Sequence, residues 1–93
     1  MLTKKKTKSI SDTVASDRLD CVISALINES RDKAKRIVLE GFVECNYQRC
    51  DKTDFRIKNG DIISVRGYGK FEIDNITDLT KKNRLRLVAE KYI

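Results

Sequence analysis

The sequence predicts an α+β domain: two short packed helices at the N-terminal side, followed by a small antiparallel sheet. Three observations carry this. Leu19, Val22, Ile23, Leu26 and Ile27 recur at i, i+3, i+4, i+7 and i+8, the stripe of a helix with one buried face. Ser30 and Gly41 then frame a second helical segment, and after Gly41 the apolar period drops to two. Helices gathered ahead of strands mark an α+β arrangement, and no helical segment separates the later strands as a parallel β-α-β unit would require.

Taken in order, Met1 to about Ser11 reads as a basic flexible tail, because Lys4, Lys5, Lys6 and Lys8 lack apolar periodicity. Residues 12–93 form the folded domain, with a core motif at 18–65. Thr13–Val14–Ala15 suits a short edge strand, and Ser16 or Asp17 can cap the first helix. Asn28–Glu29 breaks the stripe. Ser30 is a good N-cap for the second helix, since its hydroxyl can take a backbone N–H that the first turn leaves unpaired. Gly41 suits the left-handed residue that ends it. Ala34, Ile37, Val38 and Gly41 share one apolar or small face.

The other positions of this helix are unusual. Arg31, Lys33, Lys35 and Arg36 put four cations into its N-terminal part. The helix dipole favours anions there. A bound polyanion is one reason for such an arrangement. A solvated face flanking the buried stripe, with Asp32 and Glu40 as partners, is the other.

Beyond Gly41, Val43 and Cys45 share one face of a strand and Glu44 and Asn46 the other. Tyr47–Gln48–Arg49–Cys50–Asp51–Lys52 reads as a polar connection, and Phe55 and Ile57 begin another alternating segment. Asn59–Gly60 supplies a turn before the strand Asp61–Val65. Gly67–Tyr68–Gly69 is a bend. Two further strands, Phe71–Ile76 and Leu85–Ala89, flank the polar loop Thr80–Asn83.

At 93 residues the chain makes one domain. Its 20 Lys and Arg against 14 Asp and Glu give +6, which favours nucleic acid first and an anionic membrane surface second. There is no histidine, and Ser30 and Ser64 have no partner to activate them, so no catalysis is expected. Gly67-x-Gly69 lacks the rest of a dinucleotide loop. No cofactor and no small-molecule substrate is implied. Three cysteines with no short repeated spacing exclude a disulfide framework, and Cys45-x4-Cys50 is not a usual zinc pair, so no metal is expected. Cys45 reads as a core residue. The thiols fit a reducing cytoplasm. No apolar run approaches the roughly 20 residues that span a bilayer, and no signal-peptide core follows the lysines. A cytoplasmic monomer with no membrane contact is the expectation.

Four blocks add specificity: Arg18–Leu19–Asp20, Ser30–Arg31-x-x-Ala34-x-x-Ile37, Gly41-x-Val43-x-x-Asn46 and Gly60–Asp61–Ile62–Ile63. Their order and spacing resemble the alpha-L RNA-binding motif, the domain named after ribosomal small-subunit protein S-four. The same motif occurs in tyrosyl-tRNA synthetases, pseudouridine synthases and a heat-shock protein that acts on the large ribosomal subunit. The stretch Asp61–Phe71 looks like the C-terminal module of YlmH-like bacterial proteins, which are implicated in ribosome-associated quality control. Tyr47 departs from the family, which often has glycine there, and YlmH-like members usually carry another domain before this module.

The resemblance implies non-catalytic binding of structured RNA, ribosomal RNA or tRNA on the ribosome. It places the contacts at Arg18, Ser30, Arg31, Lys33, Lys35, Arg36, Asn46, Gln48 and Arg49. Leu19, Ala34, Ile37 and Val43 match the motif as packing positions. Two other readings stand beside it: a protein-interaction module linked to cell division, using a sheet edge, and a DNA-binding module that inserts its basic second helix into a major groove.

Overall fold

The computed structural model describes residues 7–78 and 84–92. A strand precedes the two helices: β1 (Thr7–Val14), α1 (Leu19–Ile27), α2 (Arg31–Leu39), β2 (Val43–Cys45), β3 (Gln48–Arg49), β4 (Ile62–Val65), β5 (Gly69–Asp78) and β6 (Leu85–Tyr92). The strands form one sheet in the order β1-β6-β5-β4-β2-β3, with every neighbouring pair antiparallel. The α+β class therefore holds, with the helices packed on one face of the sheet.

Residues 7–11, expected to be part of a flexible tail, are strand instead. They belong to β1, which pairs with β6 from Thr7↔Tyr92 to Val14↔Leu85. Ile10 and Val14 fall on one side of β1 and pack on the core, but Asp12 lies between them. The period-two signal is therefore weak in sequence, and the pairing is supplied by a strand at the far end of the chain. Lys4, Lys5 and Lys6 lie outside the described residues, as does the loop Thr80–Asn83.

The α1 stripe behaves as its spacing requires: Leu19, Val22, Ile23 and Leu26 are buried. Its cap does not. Neither Ser16 nor Asp17 closes the helix; Arg18 is the N-cap residue and makes no side-chain cap bond. The opening amides bond to another part of the chain instead. Leu19 N–H donates to the Phe55 carbonyl at 2.8 Å and Asp20 N–H to the Thr53 carbonyl at 3.2 Å, while Ile57 N–H returns to the Asp17 carbonyl at 2.9 Å. This use of its backbone explains why Phe55–Ile57 is not a strand, although Ile57 is buried. A single bridge, Arg18↔Arg56, is the only strand-like pairing there.

Helix α2 follows its sequence signals. The Ser30 hydroxyl accepts the Lys33 N–H at 3.2 Å. At the other end Gly41 has φ +83°, its N–H donates to the Val38 carbonyl, and Phe42 N–H donates to that of Ile37. These two bonds form a Schellman motif. Ala34, Ile37 and Val38 face the core, where they meet Val43, Cys45, Ile63, Val65, Phe71, Ile73, Leu87 and Ala89 from the inner side of the sheet.

The connection after β2 contains a hairpin. Cys45 pairs with Gln48 across Asn46 and Tyr47, whose φ values of 53° and 69° are the pair of positive angles a type I′ turn requires.

Two measurements check this description. A Cβ at Gly41 would meet only the Arg49 side chain, at 3.5 Å, so the cost of Gly41→Ala is that of the left-handed backbone. It should lower stability by about 1–2 kcal/mol, seen as a lower urea midpoint with an unchanged slope. The second concerns Cys45, whose thiol is pushed up to about 12 from 9.0, by burial first and then by Cys50. Below pH 9 it is neutral in both folded and unfolded chains. Between pH 9 and 12 the unfolded chain ionises and the folded one does not, so this contribution to stability falls as pH rises. Cys45→Ala should flatten the loss of stability over that window; an unchanged profile would rule out the buried thiol as its source.

Candidate nucleic-acid interface

The junction between the helices is built to place charge. Asn28 ends α1 in the left-handed conformation at φ 58°, and its N–H bonds to the Ser24 carbonyl. The Ser24 hydroxyl in turn donates to the Glu29 carbonyl at 2.7 Å. These bonds turn the chain directly into the α2 cap at Ser30, which leaves the Arg31 side chain within reach of α1.

Asp20, in the first turn of α1, lies within reach of arginines from both helices. It is fully buried, an uncommon position for a carboxylate without partners. Its Oδ1 accepts the Cys21 N–H at 2.8 Å. Its Oδ2 lies 3.2 Å from Arg18 Nη2 and 3.9 Å from Arg31 Nη2. The two arginines come from separate blocks of sequence, and one buried anion draws both guanidiniums to the junction. Each stays accessible, with 36% of the Arg18 side chain and 50% of that of Arg31 exposed. Arg18 Nε is buried and takes no hydrogen-bond partner. Asp20 belongs to the first motif block but not to the expected contacts. The signal that marks it is a carboxylate in the first turn of an otherwise apolar helix, next to an arginine.

The remaining expected residues divide by what holds them. Ser30 uses its hydroxyl as the α2 cap. Lys33 pairs with Glu29 at 3.5 Å, and contacts with Tyr68 and then Glu29 push its ammonium above the ordinary lysine range. Tyr68 OH reaches the same Glu29 carboxylate at 3.5 Å. Lys35 is half-buried and Arg36 exposed; neither makes an ion pair among the described residues. Asn46 is exposed, and its amide is bonded to the protein itself: its Oδ1 accepts the Ile62 N–H at 3.1 Å and its Nδ2 donates to Asp61 at 3.2 Å. Its side chain thus joins the β2–β3 turn to β4. Gln48 and Arg49 are exposed on β3, and the Arg49 side chain lies over Gly41 at the end of α2.

Arg56, not among the expected contacts, pairs with Asp17, and this pairing raises its guanidinium above its ordinary range. Among the described residues no three His, Cys, Asp or Glu side chains converge as a metal site needs. No helix among them is long and apolar enough to cross a membrane.

The model of the S4 domain matches residues 17–63. The chain belongs to the S4 domain family. The matched segment holds both helices, the β2–β3 hairpin and all nine expected contact residues, while β1, β5 and β6 lie outside it. This S4 chain is also similar to the ribosome-associated protein quality control protein P2 of Bacillus subtilis, with 34% identity over 80 residues, 86% of this chain. It spans 31% of that relative's length.

The junction predicts its own sensitivity. Asp20→Asn keeps the shape and the acceptor for Cys21 N–H but removes the charge facing both arginines. Stability should fall by about 1–2 kcal/mol, towards the low end because both guanidiniums are partly solvated. The loss should shrink in high salt. Thermal unfolding of the two proteins at low and high salt measures both effects.

Proposed function

We propose that this S4 domain binds structured RNA, ribosomal RNA or tRNA on the ribosome, and performs no catalysis of its own. The observation that supports it best is the convergence of Arg18 and Arg31 on buried Asp20 at the start of two helices. Two guanidiniums held at fixed positions present planar forks to phosphate oxygens. Lys33, Lys35 and Arg36 continue the positive surface along α2, and Gln48 and Arg49 add exposed polar groups on β3. Phosphate contacts of this kind position a protein on its nucleic acid and carry little base information.

Structured RNA fits this surface better than duplex DNA. The cations cluster at a helix junction and not along one long ridge, so they suit converging backbone strands and 2′-hydroxyls in a shallow groove. Helix α2 spans only Arg31–Leu39, and Glu40 follows directly, where full insertion into a major groove would bring it against phosphate. The relative's name as a ribosome-associated protein points the same way, and a ribosomal role would put the protein in the cytoplasm.

The test removes two α2 cations without adding repulsion beside Asp20. Arg31→Gln with Lys35→Gln should leave the far-ultraviolet circular dichroism unchanged and abolish most affinity for a ribosomal RNA stem–loop. Each lost phosphate contact should flatten the log–log salt dependence by roughly 0.7–0.9 in slope. Wild-type affinity and slope in this double variant, or equal competition by duplex DNA, would count against the reading. Association with a protein that ignores salt would favour the interaction-module reading instead.

A further inference from the structure

Tyr47 occupies a position that its side chain disfavours. The β2–β3 turn needs positive φ at both central residues, and Tyr47 adopts 69°. Asn–Gly is the pair that meets this demand with least strain, whereas a bulky residue there is an outlier with a reason to be sought. Asn46 meets it readily. Tyr47 does not, and its ring is not used to fill the core, since 65% of the residue is exposed.

The ring instead joins an aromatic and basic patch. Lys70 Nζ lies 5.1 Å from the Tyr47 ring centroid and 5.2 Å from that of Tyr92. Tyr92 OH donates to Glu72 at 2.9 Å, which fixes the second ring. Register places Lys70 opposite Ser64, Ser64 opposite Glu44, and Glu44 opposite Arg49. Cross-strand partners share a face, so Lys70 and Arg49 lie on the side of the sheet away from the helices. Phe42, itself 39% exposed, carries Arg66 at 5.8 Å from its ring centroid. Along β5 and β6 the patch is bounded by the carboxylates of Glu72, Asp74 and Glu90, where burial and the neighbouring Glu90 hold the Asp74 carboxyl above its ordinary range. A phosphodiester chain is favoured near Lys70 and Arg49 and repelled further along.

We propose that Tyr47 and Lys70 form a stacking site for one unpaired nucleobase and its phosphate, resting on the RNA-binding reading above. The exposed ring offers a π-face to any base, and Lys70 lies within reach of the phosphate attached to it. Gln48 and Arg49 follow Tyr47 in the same hairpin and connect the site to the expected contacts. Its other half, Lys70 and Tyr92, lies beyond the segment matched to the S4 domain.

Tyr47→Gly separates binding from folding, because glycine suits the turn better than tyrosine. The full chain is titrated with two probes: an RNA hairpin carrying one unpaired adenine beside its stem, and the same stem fully paired. The wild-type protein should prefer the first. Tyr47→Gly should unfold at the same or a higher temperature, bind the bulged RNA about tenfold or more weakly, and bind the paired stem as before. Tyr47→Phe should retain both affinities, and Lys70→Gln should flatten the salt slope on the bulged RNA by roughly 0.7. Equal wild-type affinity for the two RNAs, or unchanged binding of the bulged RNA by Tyr47→Gly, overturns the proposal and leaves Arg18 and Arg31 untouched. An equal loss on both probes overturns it too, since the ring would then not be reading an unpaired base. Failure to bind either RNA overturns the RNA-binding reading itself.

Discussion

The start of α1 depends on backbone acceptors that lie more than thirty residues further along the chain. With no side chain at Arg18 to close the helix, the carbonyls of Thr53 and Phe55 take the first amides, and Ile57 N–H answers to Asp17. An unpaired buried amide costs more than a hydrogen bond contributes, so the segment before β4 and the helix pair have to be laid down together. That docking orients the first turn of α1 and with it both Arg18 and Asp20. Arg31 reaches the same carboxylate only because the Asn28–Ser30 turn folds α2 back alongside. A charge constellation on the surface therefore rests on main-chain bonds beneath it.

What was legible in the sequence was what is locally determined. Ser30 and Gly41 mark α2 because a cap and a left-handed stop act within a few residues. The alternation through Val43 and Cys45, and again through Ile63 and Val65, survives because those side chains enter the core on one face. Arg18 and Arg31 could be named, but not their meeting. Asp20 was hidden by its charge, because a buried carboxylate is recognisable only once its partners are seen. Asn46 shows the converse: the motif resemblance marks it as a contact group, and only the fold reveals that its amide also bonds the Ile62 backbone. The Thr53–Ile57 stretch alternates like a strand and spends its backbone on a helix instead.

The excess of positive charge is unevenly placed. Arg18, Arg31, Lys35 and Arg36 gather around the helices, while Glu72, Asp74 and Glu90 face outward from β5 and β6. Thr7 Oγ1 donates to Glu90 at 2.8 Å and Tyr92 OH to Glu72, so part of this acidic face is held by hydrogen bonds. A molecule with charge so unevenly placed is turned by the field of a polyanion before contact, and this raises the share of productive encounters. Glu44, in the row between Lys70 and Arg49, keeps the positive charge of the outer face discontinuous.

The pairing of β1 with β6 also bears on how the chain acquires its shape during synthesis. Thr7 emerges well before its partner Tyr92. Closing so long a loop is slow relative to helix formation, so α1, α2 and the local hairpins can assemble while β1 waits. Until Leu85–Tyr92 arrives, β5 has one side without its neighbour. The waiting strand is rich in Ser and Thr with Ile10 alone among its first seven residues, a composition that lowers the risk of mispairing before the sheet closes.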